Sequence, residues 1–208
     1  MIGRNAPSDA GRTRRLRGHR AGGQSVVEFA VVIPVFLMLL LGMLEFGFVF
    51  NHHLGLEYAT REGARTAAAL GSGTDQVVCA DVDKNVIAAL QRVVTSPGSQ
   101  IKLANISEVR IYSADANGAQ IGSLVNIWRP GTGPVVDGYA LQFSQVSMGW
   151  SACSRKNSWS LPNNPPDSVG VSLAYRYDLI TPLGNLVRAF GAGSIPINDR
   201  TVMAVNPT

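Results

Sequence analysis

The chain has 208 residues, with 18 basic and 14 acidic side chains and a net charge of +4. Residues 1–23 hold six arginines and one acid, Asp9, a net of +5, so residues 24–208 carry 12 basic and 13 acidic residues, a net of −1. The positive charge thus belongs to a leader and not to a folded surface, which argues against a nucleic-acid binder. The three histidines, His19, His52 and His53, leave no Ser/His/Asp or Cys/His catalytic system to assemble in the downstream residues.

The leader, residues 1–23, contains Arg4, Arg12, Arg14, Arg15, Arg17 and Arg20 among glycine and alanine. With few apolar residues before Val26 it is expected to stay disordered until bound, and its arginines suit anionic headgroups. An uncharged run follows from Phe29 to Leu44 and continues past Glu45 through Phe46–Phe50. As a helix, Phe29–Phe50 is about 33 Å long, enough to span a bilayer. The basic flank should keep the N-terminus cytoplasmic, leaving the remainder extracytoplasmic. The run is too long for a secretory signal, and no A-x-A site follows it closely.

We expect one helix from about Ser25 to Leu70, transmembrane over 24–50 and amphipathic over 51–70. Glu28 lies at the cytoplasmic edge of the apolar run. Glu45 stands roughly 25 Å further along and reads as a solvated carboxylate at the far interface. Pro34 should bend the helix, while Gly42 and Gly47 permit close helix approach. Gly55, Ala59, Gly63 and Ala67 form a small-residue stripe, expected to pack on the protein's own sheet or on a neighbouring subunit. Glu57, Arg61 and Arg65 are spaced for i,i+4 pairing. His52 and His53 are adjacent, point apart on a helix and so do not suggest a shared metal site.

Residues 71–208 read as an extracytoplasmic α+β domain. Gly71–Thr74 ends the long helix. A second helix is expected at about Ala80–Val94, with Val82, Val86, Leu90 and Val93 on one face, Asp81 as cap and Pro97–Ser99 as stop. Strands are expected at Glu108–Ser113 and Gln120–Trp128, joined by Asp115-Ala116-Asn117-Gly118, and again around Tyr139–Val146. Strict alternation over Val169–Leu179 predicts a half-buried strand. Trp150–Pro166 reads as irregular, Leu183–Phe190 as a short helix and Thr201–Val205 as a closing strand. Cys79 and Cys153 count as one possible disulfide, with free buried thiols as the alternative. Asp81-Val82-Asp83-Lys84-Asn85 begins like a calcium loop, but Val86 and Arg92 occupy its sixth and twelfth positions and it fails. No catalytic residue, metal site or cofactor emerges.

Gly23-Gln24-Ser25-Val26-Val27-Glu28-Phe29 resembles the processing site of type IV pilin precursors; a cut after Gly22 would displace the glutamate by one position. The run Gln24–Pro34, then Leu44-Glu45-Phe46-Gly47 and Ala59-Thr60-Arg61-Glu62-Gly63-Ala64-Arg65, is similar to TadE-like proteins of the tight-adherence (Tad) pilus system. The resemblance covers roughly Gly23 to Ala69. It implies a non-enzymatic minor pilin or pseudopilin that assists assembly of a Tad-type (type IVc) pilus for adhesion. It further implies cleavage by prepilin peptidase after Gly23, leaving Gln24 first. Glu28, with Phe29, would then set subunit register by pairing with the free amine of a neighbour. The implied fold is a long N-terminal helix packed on a pilin-like antiparallel sheet with one further helix. The implied partners are other pilin and pseudopilin subunits, prepilin peptidase, the Tad inner-membrane assembly platform and membrane lipid. The location would be the bacterial cytoplasmic membrane, crossed once. The rival reading is an uncleaved single-pass membrane adaptor or ligand-binding protein.

Overall fold

The computed structural model describes residues 23–157, 165–189, 191 and 193–206. Most of the basic leader, and the centre of the expected irregular segment Trp150–Pro166, lie outside the described residues. Among the described residues the chain divides into two units, with the boundary between Leu40 and Leu41. Helix α1, Gln24–Leu70, contributes to both.

In the first unit the apolar side chains of α1 are exposed almost throughout, with Ile33 the one half-buried residue over 24–40. Pro34 sits inside the helix, where its missing N–H leaves the carbonyl one turn earlier without its usual donor.

The second unit joins the rest of α1 to α2 (Val82–Val94), seven strands and α3 (Leu183–Ala189). The strands are β1 (Ile106–Ala114), β2 (Gln120–Pro130), β3 (Val135–Val136), β4 (Tyr139–Ala140), β5 (Phe143–Met148), β6 (Ser168–Asp178) and β7 (Ser194–Ala204). Five of them form an antiparallel sheet in the order β5-β2-β1-β6-β7, and β3 and β4 make a separate ribbon. This is the α+β arrangement that the sequence suggested.

Alternation decides the sheet's two faces. Val169, Val171, Leu173, Tyr175 and Tyr177 of β6 are buried, and their β1 neighbours in register include Val109 and Ile111, also fully buried. Trp128 and Phe143 complete this inner face, and Leu56, Ala59, Ala64 and Ala67 of α1 share its core with Val86, Ile87, Leu90 and Val94 of α2. On the opposite face Tyr112 lies flat over Gly170, its cross-strand partner. A Cβ added at Gly170 would stand 2.3 Å from the ring.

Several boundaries differ from expectation for identifiable reasons. A 3-10 turn, Cys79–Asp81, precedes α2, and Asp81 stands at its N-cap without a side-chain hydrogen bond: its backbone is in the helical region, not extended, and its carboxylate pairs with Lys84 at 2.5 Å. Val82, Val86 and Leu90 of α2 are fully buried as expected and Val93 packs against the core half-buried, while Ile87, Ala88 and Val94 widen the buried face. The single strand expected at Tyr139–Val146 is split into β4 and β5, because the Gly131 and Gly133 amides bind the Gln142 and Leu141 carbonyls between them. The closing strand starts at Ser194, seven residues earlier than expected, and pairs with β6 along its whole length. Pro196 hid it, yet β7 is an edge strand, where a missing N–H is tolerated. The Asp115–Gly118 turn is a hairpin: the Asp115 carboxylate accepts the amides of Asn117 and Ala119, and Gly118 takes φ +75.

Cys79 and Cys153 form a disulfide, with Cα atoms 4.9 Å apart. Beside it lies a buried polar cluster absent from the sequence reading. Arg155 pairs with Asp83 at 2.5 Å and stacks over the Trp150 ring. Asn126 donates to Asp83 and to the Trp150 carbonyl, and its own carbonyl receives the amides of Gly149 and Trp150. The cluster binds the segment after β5 to α2.

Candidate functional site

Among the described residues, α1 is the one helix long and apolar enough to cross a bilayer, which is consistent with a membrane anchor. Its chemistry changes along its length.

At the start, the Gly23 carbonyl accepts the amide of Val27 at 3.2 Å and closes the first turn. Glu28 and Phe29 are exposed, and the Gln24 side-chain amide donates to Glu28 Oε1 at 3.0 Å. The Gly23–Gln24 bond and the Glu28 carboxylate therefore sit one helical turn apart on an open surface.

Glu45 corrects the sequence reading. It is 6% exposed, not solvated. The Tyr177 hydroxyl donates to its Oε1 at 2.6 Å, and the amides of Ile180 and Thr181 donate to Oε1 and Oε2, each at 2.9 Å. Three donors in a confined place satisfy an anion that would otherwise be costly to bury. Burial, with the Glu45 carboxylate acting in the same direction, pushes the Tyr177 phenol well above its usual range. Next in line is His52, also buried, whose ring nitrogens lie 2.8 Å from the Phe48 carbonyl and 3.1 Å from that of Gln100. Its ring meets Tyr177 edge-on, with 4.8 Å between centroids. His53 is only half-buried.

Beyond Glu45, helical periodicity divides α1 between two environments. Ala59 and Ala67 are fully buried, and a Cβ added at Gly63 would stand 3.2 Å from Val171 of the chain's own sheet. At Gly55 the added Cβ would meet Ile101 at 3.0 Å. The small-residue stripe thus lies against this chain's own domain. Thr60 is buried and bonds both Asp199 and Thr201 of β7. On the other side Phe46, Phe50, Leu54 and Tyr58 are exposed at i,i+4 spacing, Phe46 by 71%. Charged residues continue that side: Arg61, which pairs with Glu57 at 2.5 Å, then Glu62 and Arg65. The aromatic ridge was missed in the sequence, although its spacing of four was there to read.

No group of three or more His, Cys, Asp or Glu positioned to hold a metal occurs among the described residues.

Together these features define an α+β protein with a long, exposed apolar N-terminal helix and a disulfide-closed antiparallel domain. The family model described as TadE-like protein matches residues 23–65, so this segment of the chain is similar to that family. That family is associated with the Tad pilus and is not known as enzymatic. No curated protein matches the chain. No solved structure matches it.

Proposed function

We propose that the protein is a minor pilin or pseudopilin that assists assembly of a Tad-type pilus for adhesion. In this reading α1 anchors it in the bacterial cytoplasmic membrane, with the N-terminus cytoplasmic and the sheet domain outside. Prepilin peptidase cuts after Gly23. The observation that carries the reading is the division of α1: its own sheet occupies one face, while the apolar first part and the Phe46–Tyr58 ridge stay open. A helix held in this way keeps a continuous surface for lipid and then for the helices of other pilus subunits.

Processing has a physical consequence at the open end. Cutting after Gly23 removes the carbonyl that accepts the Val27 amide and leaves an ammonium on Gln24. A positive charge at a helix N-terminus is unfavourable against the helix dipole, and Glu28 one turn away is placed to offset it. A neighbouring subunit's amine would be served by the same exposed carboxylate.

Intact mass of the membrane-extracted protein, with and without its prepilin peptidase, tests this. A peptidase-dependent start at Gln24 is expected. A stable full-length chain in both samples would overturn the processing and favour an uncut membrane adaptor.

A further inference from the structure

The β6–α3 loop, Leu179–Pro182, hangs on α1 through the Glu45 carboxylate, which accepts the amides of Ile180 and Thr181. Side chains on a helix tilt toward its N-terminus, so the patch a residue covers lies over the preceding turn. The loop is therefore held level with Leu41–Leu44, not above Glu45. Leu41, one turn before Glu45, is partly covered, whereas Gly42, Met43 and Leu44 remain exposed. These four are the last residues before Glu45 interrupts the apolar run, which resumes through Phe46–Phe50. At that level Ile180 is 58% exposed, and no charge occurs from Leu179 to Val187 before the exposed Arg188.

We propose that the β6–α3 loop is a membrane-contacting wedge, with Ile180 inserted at the headgroup–acyl boundary of the extracytoplasmic leaflet beside Met43 and Leu44. The inference rests on reading α1 as a bilayer span. It makes sense of the caged Glu45: a carboxylate that accepts an O–H and two N–H groups from its own protein needs little water and can sit near the lipid boundary. An uncharged segment ending in a basic residue matches the layering of an interfacial element, with apolar atoms inward and the cation at the phosphates. The occupant is lipid and not a protein partner, because the loop is held beside the exposed apolar Met43 and Leu44, toward the extracytoplasmic end of the stretch of α1 read as the bilayer span.

The test uses the full chain, with its disulfide oxidised, in vesicles of phosphatidylethanolamine and phosphatidylglycerol. A nitroxide is placed by Ile180→Cys, with Met43→Cys as the lipid reference and Val78→Cys, just past the C-terminal end of α1, as the water reference. Collision with oxygen and with a water-soluble nickel chelate reads depth. The expected result is loss of nickel relaxation at position 180, with oxygen relaxation retained, as at position 43. Nickel relaxation equal to that at position 78 would overturn the proposal. Shielding from both reagents would also overturn it, by putting protein there. If position 43 is itself open to nickel, the bilayer reading of α1 fails and the wedge fails with it.

Discussion

Tyr177 donates its hydroxyl hydrogen to Glu45 across 2.6 Å, joining a strand to a helix residue 132 positions earlier in the chain. With the Ile180 and Thr181 amides it makes Glu45 the fastening point between α1 and the end of β6. Glu45→Ala strands two amides and a hydroxyl in a confined place and should cost about 3 kcal/mol. Glu45→Gln keeps an acceptor and should cost about 1 kcal/mol. Chemical denaturation of the full chain in detergent, followed by near-UV circular dichroism, gives both values. Equal stability of the two variants would refute the fastening role.

The same pair sets an alkaline limit. Burial is the largest cause that raises the phenols of Tyr177, Tyr175 and Tyr112 in the folded state. A raised folded-state value means the native protein holds the proton more tightly than the unfolded chain. The resulting stabilisation is complete below about pH 10, the unfolded tyrosine value, and is lost as pH rises through the folded one. Stability should therefore be insensitive to these groups at neutral pH and fall above about pH 10. Tyr177→Phe should shrink that fall. Unfolding midpoints as a function of pH, alongside tyrosinate absorbance, measure it.

Gly170 tests the outer face of the sheet. Replacing a strand glycine by alanine ordinarily gains about 0.5–1 kcal/mol by reducing unfolded-state freedom. Here the new methyl would meet the Tyr112 ring at 2.3 Å. Gly170→Ala should thus destabilise by about 2 kcal/mol, and the added change Tyr112→Ala should relieve the clash. A stabilising Gly170→Ala would show that the ring moves aside freely.

Arg155 and Asp83 are the costliest charges to separate. Arg155→Ala leaves a buried carboxylate without its cation and should cost about 3–5 kcal/mol. The paired change of Arg155 to Met and Asp83 to Leu should recover much of that loss. Breaking the neighbouring disulfide with Cys79→Ser opens a constraint spanning 74 positions, worth about 4 kcal/mol by loop entropy. Thermal unfolding of the four chains, run oxidised, separates these contributions.

What was legible in the sequence shared one property: it repeated locally. The alternation of β6, the small stripe Gly55–Ala67 and the Asp115–Gly118 turn each announce themselves within a dozen residues. Glu45 was misread because its donors, Tyr177, Ile180 and Thr181, are remote, and a lone carboxylate after an apolar run looks the same whether solvated or caged. Asp83 and Arg155 lie 72 positions apart, and only the packing around Trp150 makes them partners. The start of β7 was lost to a rule that holds for central strands but not for edges. The Phe46–Tyr58 ridge was overlooked because exposure, unlike spacing, is settled by what the opposite face of the helix touches.

That asymmetry of α1 gives the protein a front and a back. From Glu45 to Ala67 the rear arc of the helix is covered by its own domain, with Gly55 and Gly63 close against Ile101 and Val171 and with Ala59 and Ala67 fully buried. What α1 itself leaves open is the forward arc, which begins in aromatic rings and ends in Arg61, Glu62 and Arg65. A helix packed there, as the proposed assembly requires, would meet apolar rings at one end of the arc and charge at the other. A second helix inserted upside down would set its ions against the rings.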